Sequence, residues 1–273
     1  MSTTTRQPTL FISHGSPMLA LQPGVIGPKL AALGERLGKP KAVLILSPHW
    51  MTRGGVGVSN AAHPSIVYDF GGFPAPLYQV KYPDSGAALN GAPLVAQRVA
   101  ALLAGSGIVN ALVPNDGLDH GAWVPLRYLY PDGDVPVLLL SMPADLNAAS
   151  AYTLGQLLAP LSDEGVLIIG SGSLTHNLSE FTHRDAPDPN AVPIEPYVTQ
   201  FRAWTHQALS QRDAQALQDY RQLAPHAVRA HPTDEHWLPL PFAMGAARAD
   251  YALEVVDGGV EYGSFSMDTF VFH

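Results

Sequence analysis

Short, uniformly apolar segments alternate along the chain with longer segments of helical periodicity. The apolar segments cover residues 9–13, 42–46, 135–141 and 166–170. Runs this short and this apolar are typical of strands buried on both faces of a parallel sheet. The helical segments cover residues 18–40, 84–103, 147–161 and 197–223, the last with a possible break near residues 212–213. The pattern predicts an α/β fold with a mostly parallel or mixed central sheet flanked by helices on both faces.

The remaining segments are predicted to form loops and, near the C-terminus, strands. Residues 65–82 are dense in glycine, proline and aromatic residues, which predicts a loop packed over a pocket. Residues 116–123 and 183–194 are also expected to be loops, and residues 251–256 and 263–272 to be strands. The chain shows no internal repeat, low-complexity tract or linker, so we expect one domain over residues 1–273.

Three of the predicted buried strands are followed by a histidine, namely His14, His49 and His176. Pro48 has no N–H to donate, so we expect the second strand to end there and to present His49 beyond its end. The carboxyl ends of parallel strands share one edge of a sheet, where ligands of α/β proteins bind. The three imidazoles are therefore expected to converge, and loops could bring His120 and His236 to the same edge.

Composition limits the chemistry that such a site could perform. The 15 Lys+Arg against 23 Asp+Glu leave a net charge of −8, without a basic stripe for nucleic acid or an anionic membrane. The chain has no cysteine, so any metal must be held by histidine, aspartate or glutamate. The N-terminal residues lack the apolar core of a signal peptide, and no apolar run reaches membrane-spanning length. We expect a soluble, cytoplasmic protein, with a homo-oligomer left open.

Converging imidazoles without cysteine fit a site for Zn(II) or non-haem Fe(II). The carboxylates near enough in sequence to complete such a site are Asp69, Asp119, Asp234 and Glu235. A single histidine after a strand is more often a turn residue than a ligand, but its recurrence at equivalent positions favours a shared site. The remaining histidines lack that context and are interpreted as surface or packing residues: His63, His183, His206, His226 and His273.

Serine chemistry and phosphate binding are weighed on residues 170–176, GSGSLTH. A nucleophile elbow needs Gly-x-Ser-x-Gly, which Ser171 and Ser173 do not satisfy. A phosphate-binding loop needs Gly-Lys followed by Ser or Thr, which is absent from this segment. Neither motif is therefore present.

Six blocks in order resemble the DOPA 4,5-dioxygenase (extradiol) family, within the LigB-like class III ring-cleaving dioxygenases. They are HGSP at 14–17, SPHW at 47–50, YDFGGFP at 68–74, LDHGAW at 118–123, SGSLTHNL at 171–178 and HPTDEHWLPL at 231–240. The resemblance implies an α/β fold and metal ligation by His14, His49 and His236. It further implies an acid/base role for His176, which could be a fourth ligand, and a pocket lined by His120.

The resemblance implies extradiol cleavage of a catechol-type substrate by O2 to a muconic semialdehyde, with Fe(II) in the active form or Zn(II) as the bound metal. Asp69, Phe73 and His120 are expected to bind the substrate. Many extradiol enzymes use a carboxylate as third ligand, so Glu235 competes with His236, and His231 is a further competitor. Two other functions stay open: a zinc-dependent hydrolase on the same site, and a non-catalytic metal- or ligand-binding protein.

Overall fold

The computed structural model describes residues 6–115, 117–181 and 186–273. The strands, in chain order, are β1 (Thr9–Ser13), β2 (Ala42–Thr52), β3 (Val56–Ser59), β4 (Ser65–Ile66), β5 (Asn110–Val113), β6 (Gly117–Leu118), β7 (Val137–Pro143), β8 (Val166–Gly172), β9 (Leu253–Val256), β10 (Val260–Glu261), β11 (Phe265–Ser266) and β12 (Thr269–Phe272).

The α-helices are α1 (Ile26–Leu37), α2 (Pro93–Gly105), α3 (His120–Leu129), α4 (Ala148–Leu158), α5 (Pro160–Asp163), α6 (Pro196–Ser210), α7 (Ala214–Gln218), α8 (Tyr220–Leu223), α9 (Ala227–Ala230) and α10 (Pro239–Ala246). Short 3₁₀ helices cover Pro17–Ala20, Ala75–Gln79, Leu178–Glu180 and Pro189–Ala191. Among the described residues, none of the helices combines the length and apolar character needed to cross a bilayer.

Eight of the described strands form one mixed sheet in the order β5-β3-β7-β2-β8-β1-β12-β9. The central strands β7, β2, β8 and β1 pair in parallel. Strand β3 meets β7 antiparallel, and β12 and β9 add an antiparallel border beside β1. The predicted α/β fold with a mixed central sheet is confirmed.

Each central strand divides its side chains between two cores. In β2, Leu44 and Leu46 belong to one buried cluster, together with side chains of α2, α4, α6 and α10. Val43 and Ile45 point to the opposite face, into a second buried cluster with side chains of α1 and α3. A strand buried on both faces has no polar alternation, which explains the uniformly apolar runs in the sequence.

Strand β2 extends further than its sequence predicts. Its pairing with β8 ends at Leu46, and its pairing with β7 shifts register between Leu46 and Met51. Pro48 and His49 lie in this irregular stretch, and β2 continues to Thr52. The prediction that the strand ends at Pro48 is wrong, because a proline is tolerated where the regular ladder is already interrupted.

Two helix predictions also need correction. Helix α2 begins at Pro93, not at residue 84 as predicted. Proline suits the first helical turn because the N–H it lacks would have no helical partner there. Residues 117–123, predicted as a loop, form β6 and the start of α3; Asp116 lies outside the described residues. Most of α3 is buried, so no polar face marks it as a helix in the sequence.

Helices α4 and α10 pack closely enough that only glycine fits between them. A Cβ added at Gly155 would lie 2.0 Å from the carbonyl oxygen of Phe242, and one at Gly245 would lie 2.1 Å from that of Tyr152. Because a backbone contact cannot rotate away, a side chain here must push the two helices apart.

We expect Gly155→Ala to lower the free energy of unfolding by about 1–3 kcal/mol, the usual cost of overpacking a core. Gly105→Ala is the matched control, because its added Cβ would meet nothing within 4 Å at the end of α2. The control should gain about 0.4–1 kcal/mol from reduced chain entropy in the unfolded state. Urea unfolding of both variants measures the difference, and equal stability would show that α4 and α10 have room to spare.

Candidate functional site

Five histidines form a cluster at the edge of the sheet where β1, β2 and β8 end. The ring centroid of His14 lies 5.1 Å from that of His49, 5.4 Å from that of His120 and 5.3 Å from that of His236. The rings of His49 and His120 are 4.0 Å apart. The ring of His176 stacks on that of His236 at 3.5 Å, with 6° between their planes. The structure therefore brings together all five histidines that the sequence singles out.

Backbone contacts around β8 hold three members of this histidine cluster. The N–H of His14 donates to the carbonyl of Gly172 at 2.9 Å, continuing the pairing of β1 with β8. The carbonyl of His236 accepts from the N–H of Ser173 at 3.0 Å. The N–H of His176 donates to the carbonyl of Ala230 at 2.8 Å, which joins the turn after β8 to the segment before His236.

One group of ring nitrogens has the geometry of a metal site. Ligand atoms of His14, His49 and His236 lie within 4.8 Å of one another. The Nε2 atoms of His14 and His49 face each other at 3.2 Å. Nε2 of His236 is buried and makes no hydrogen bond among the described residues. Leaving a buried polar atom unsatisfied costs about 1–3 kcal/mol, which a bound cation at this position would offset. The three residues therefore fit a divalent metal.

Two further groups within the histidine cluster offer carboxylate oxygens. One combines His49, His120 and Asp69, and the other His176, His236 and Glu235. The Glu235 carboxylate lies 3.4 Å from Nδ1 of His236 and accepts a hydrogen bond from Thr233. Both third-ligand candidates are thus adjacent in space as well as in sequence.

Burial keeps four imidazoles of this cluster neutral, those of His14, His49, His176 and His236. It lowers the pKa of His14 and of His236 well below the usual range, and the neighbouring histidines lower both further. Burial lowers the pKa of His49 to about 3 and that of His176 to about 4, although Asp69 and Glu235 oppose the respective shifts. A neutral imidazole presents a lone pair, which is the form that binds metal ions and accepts protons.

Asp69 fixes the orientation of His120. One carboxylate oxygen accepts from the N–H of His120 at 2.9 Å, and the other lies 2.9 Å from Nδ1 of its ring. Burial alone would raise the pKa of Asp69, but these hydrogen bonds lower it and keep the carboxylate charged. Because the carboxylate accepts at Nδ1, the Nε2 atom of His120 is left for other contacts.

Residues 71–74 of the aromatic loop (residues 68–79) line a cavity whose wall also includes Ser16 and Leu178, each two residues from a cluster histidine. Phe70 packs edge-on against His120 at 5.8 Å and against Phe73 at 5.4 Å. The cavity has a volume of about 760 Å³, within the usual range for small-molecule sites. Phe73, Met18, Leu178, Phe181 and Tyr262 contribute its apolar lining. The loop thus forms part of a pocket, as its composition predicts.

Sequence reasoning missed polar residues that support the histidines. Ser171, which fails the nucleophile-elbow pattern, is 1% exposed and lies 3.0 Å from Nδ1 of His14. Ser47 donates to Asp119 at 2.7 Å and accepts from the N–H of His49 at 3.3 Å. Burial raises the pKa of Asp119 to about 6, although the hydrogen bond from Ser47 opposes this. The GSGS motif draws attention to Ser171 in the sequence, but it does not indicate that Ser171 contacts His14.

Other candidates lie outside the histidine cluster. His231 is fully buried, and its Nε2 donates to the carbonyl of Leu174 at 2.9 Å, so this nitrogen is not free to bind a metal. Asp234 accepts from Tyr220 and Arg221. The histidines interpreted as surface or packing residues form hydrogen bonds away from the cluster: His63 with Leu89, His206 with Asp268, His226 with Gln200 and His273 with Glu254. His183 lies outside the described residues.

Two relatives named as extradiol dioxygenases and one solved structure match this chain over nearly its whole length. A 4,5-DOPA dioxygenase extradiol of Beta vulgaris is 42% identical over 267 residues, covering 94% of this chain and 95% of that protein. A 4,5-DOPA dioxygenase extradiol of Escherichia coli K12 is 35% identical over 273 residues, covering 97% and 94%. The crystal structure of an uncharacterized protein from Escherichia coli K12 superimposes with a TM-score of 0.79 at 31% identity, covering 98% of this chain and 100% of that chain.

The family described as the catalytic LigB subunit of aromatic ring-opening dioxygenase matches residues 8–272. The match and the relatives confirm the resemblance carried by the six sequence blocks. They favour a dioxygenase over the zinc hydrolase and the non-catalytic protein that the sequence left open. The chain belongs to the LigB family of aromatic ring-opening dioxygenases and is an extradiol dioxygenase of that family.

Proposed function

We propose that the enzyme cleaves a catechol-type substrate, DOPA-like or a related catechol, beside its two hydroxyls to give a muconic semialdehyde. The proposed metal is Fe(II) in the active form, held by His14, His49 and His236, and Zn(II) suits the same nitrogen donors. The observation that carries the proposal is the buried, unpartnered Nε2 of His236 beside the facing Nε2 atoms of His14 and His49. The names of the relatives from Beta vulgaris and Escherichia coli support the substrate class.

A divalent ion bound there would supply open coordination positions for two adjacent hydroxyls and for O2. His14, His49 and His236 would hold the ion, and the rings of His120 and His176 lie next to theirs. The protein then contributes orientation, which converts the encounter of two reactants into a reaction between neighbours.

His176 is the proposed acid/base. Its ring lies flat against that of His236, and its backbone N–H is fixed by the carbonyl of Ala230. A neutral imidazole in this position can take the proton of a catechol hydroxyl and later return it to an oxygen of the opening ring. His176 could also act as a fourth metal ligand, through the group that it forms with His236 and Glu235.

His120, Asp69 and Phe73 are proposed to bind the substrate in different ways. Asp69 occupies Nδ1 of His120, so Nε2 is the nitrogen proposed to hydrogen-bond a substrate oxygen or O2. Asp69 therefore acts on the substrate through His120. Phe73 lines the cavity and, together with Phe70, would pack on the substrate ring and exclude water.

Anaerobic reconstitution with Fe(II), followed by a panel of catechols, tests the function directly. We expect O2 consumption and a visibly coloured ring-cleavage product with at least one catechol, and neither with the corresponding monophenol, which lacks the second hydroxyl. A reconstituted enzyme that consumes no O2 with any catechol would contradict the proposed substrate class.

The metal ligands are tested by metal content after reconstitution and gel filtration. His14→Ala, His49→Ala and His236→Ala should each lose stoichiometric metal, because each removes one of three nitrogen donors. Glu235→Gln should retain the metal, and His63→Ala, at an exposed histidine, is the matched control. Loss of metal in Glu235→Gln with retention in His236→Ala would make Glu235 the third ligand.

The proposed role of His176 is tested by a substitution that should affect turnover more than metal binding. His176→Ala should keep the fold and most of the metal while turnover falls by about 10²- to 10⁴-fold, the usual loss for a general acid/base. Metal content, circular dichroism and steady-state rates with the best catechol of the panel provide the measurement. Turnover equal to that of His63→Ala would remove His176 from the mechanism.

A further inference from the structure

Ser171 lies between a site histidine and a helix, on the opposite face of β8 from Gly170 and Gly172. Its Oγ is 3.0 Å from Nδ1 of His14 and 2.5 Å from the carbonyl oxygen of Gly121. The side chain is buried, so water does not compete for these two contacts. The hydroxyl therefore bridges β8, His14 and the first turn of α3.

The direction of both hydrogen bonds follows from the donor inventory. A carbonyl oxygen only accepts, so the single hydroxyl hydrogen of Ser171 must point to Gly121. The hydroxyl then offers a lone pair to the ring of His14, and Nδ1 of His14 has to be the donor. The opposite tautomer would set two lone pairs against each other at a buried position, where an unmade hydrogen bond is costly.

A proline makes the carbonyl of Gly121 available. In an α-helix this carbonyl would accept from the N–H four residues later, which in α3 is residue 125. Pro125 has no N–H and lies inside the helix, so that bond cannot form. The hydroxyl of Ser171 takes the place of the missing helical donor, which commits its hydrogen away from His14.

We propose that Ser171 is a positioning residue that holds His14 in the tautomer with its hydrogen on Nδ1, so that the lone pair of Nε2 faces the metal position. This inference rests on the proposed metal site. In this tautomer Nε2 of His14 points toward Nε2 of His49 at 3.2 Å, within the group completed by His236. Outer-sphere partners of this kind set the ring orientation and tautomer of a ligating histidine.

The test is Zn(II) affinity, measured by chelator competition on the full-length protein. Ser171→Ala should weaken Zn(II) binding by about 10- to 100-fold, the usual effect of losing an outer-sphere partner. Ser171→Thr, which keeps the hydroxyl at a strand position, should retain more Zn(II) affinity than Ser171→Ala and guards against a folding defect in the alanine variant. Ser173→Ala is the matched control, because Ser173 is equally buried but donates to the carbonyl of Thr175 and contacts no site imidazole.

A spectroscopic readout distinguishes tautomer control from simple stability. In Zn(II)-loaded wild-type protein labelled with ¹⁵N-histidine, we expect His14 to carry an exchange-protected proton on Nδ1 with Zn(II) on Nε2. That protection should be lost in Ser171→Ala and kept in Ser171→Thr and in Ser173→Ala.

Zn(II) bound through Nδ1 of His14, wild-type affinity in Ser171→Ala, or an equal loss in Ser173→Ala would each overturn the inference. Wild-type protein that binds no Zn(II) would instead count against the proposed metal site. The two failures are therefore distinguishable.

Discussion

The parallel pairing of β8 with both β1 and β2 is the constraint on which the site depends. It places the ends of β1 and β8 beside the irregular stretch of β2 that contains His49. Through the alternation of Gly170, Ser171 and Gly172, strand β8 also contacts elements on both faces of the sheet. A Cβ at Gly172 would lie 2.3 Å from the carbonyl oxygen of His236, so this glycine lets the segment before α10 lie directly on the strand. On the other face Ser171 reaches His14. One strand thus sets the distance between two proposed ligands.

The site concentrates neutral imidazoles where charged ones would be strongly disfavoured. Burial opposes protonation of His14, His49, His176 and His236, and each protonated ring would also repel its neighbours. Asp69, in contrast, is charged, because two hydrogen bonds from His120 stabilise its carboxylate. Nε2 of His236 and Oδ2 of Asp119 are buried and have no hydrogen-bond partner among the described residues. The unpartnered Nε2 of His236 supports the proposed position of the metal.

The sequence predicts the central strands and the convergence of the histidines because both depend on local pattern. Uniform apolar runs locate β1, β2, β7 and β8, and a histidine follows the apolar run of three of them, β1, β2 and β8. The partners of those histidines could not be predicted, because Ser171 and His14 are separated by 157 residues, and Asp69 and His120 by 51. Buried elements such as α3 also escape prediction, since an element enclosed by protein needs no polar face. The end of β2 was predicted wrongly at Pro48, because whether a proline ends a strand depends on the pairing with neighbouring strands, which the sequence does not show.

The two hydrogen bonds between Asp69 and His120 have a consequence for the aromatic segment that contains Asp69. The same short stretch of chain contributes Phe73 to the cavity wall, packs Phe70 against His120 and fixes the ring of His120 through Asp69. A substitution that shifts this stretch would therefore change the shape of the cavity and the direction of a cluster imidazole together.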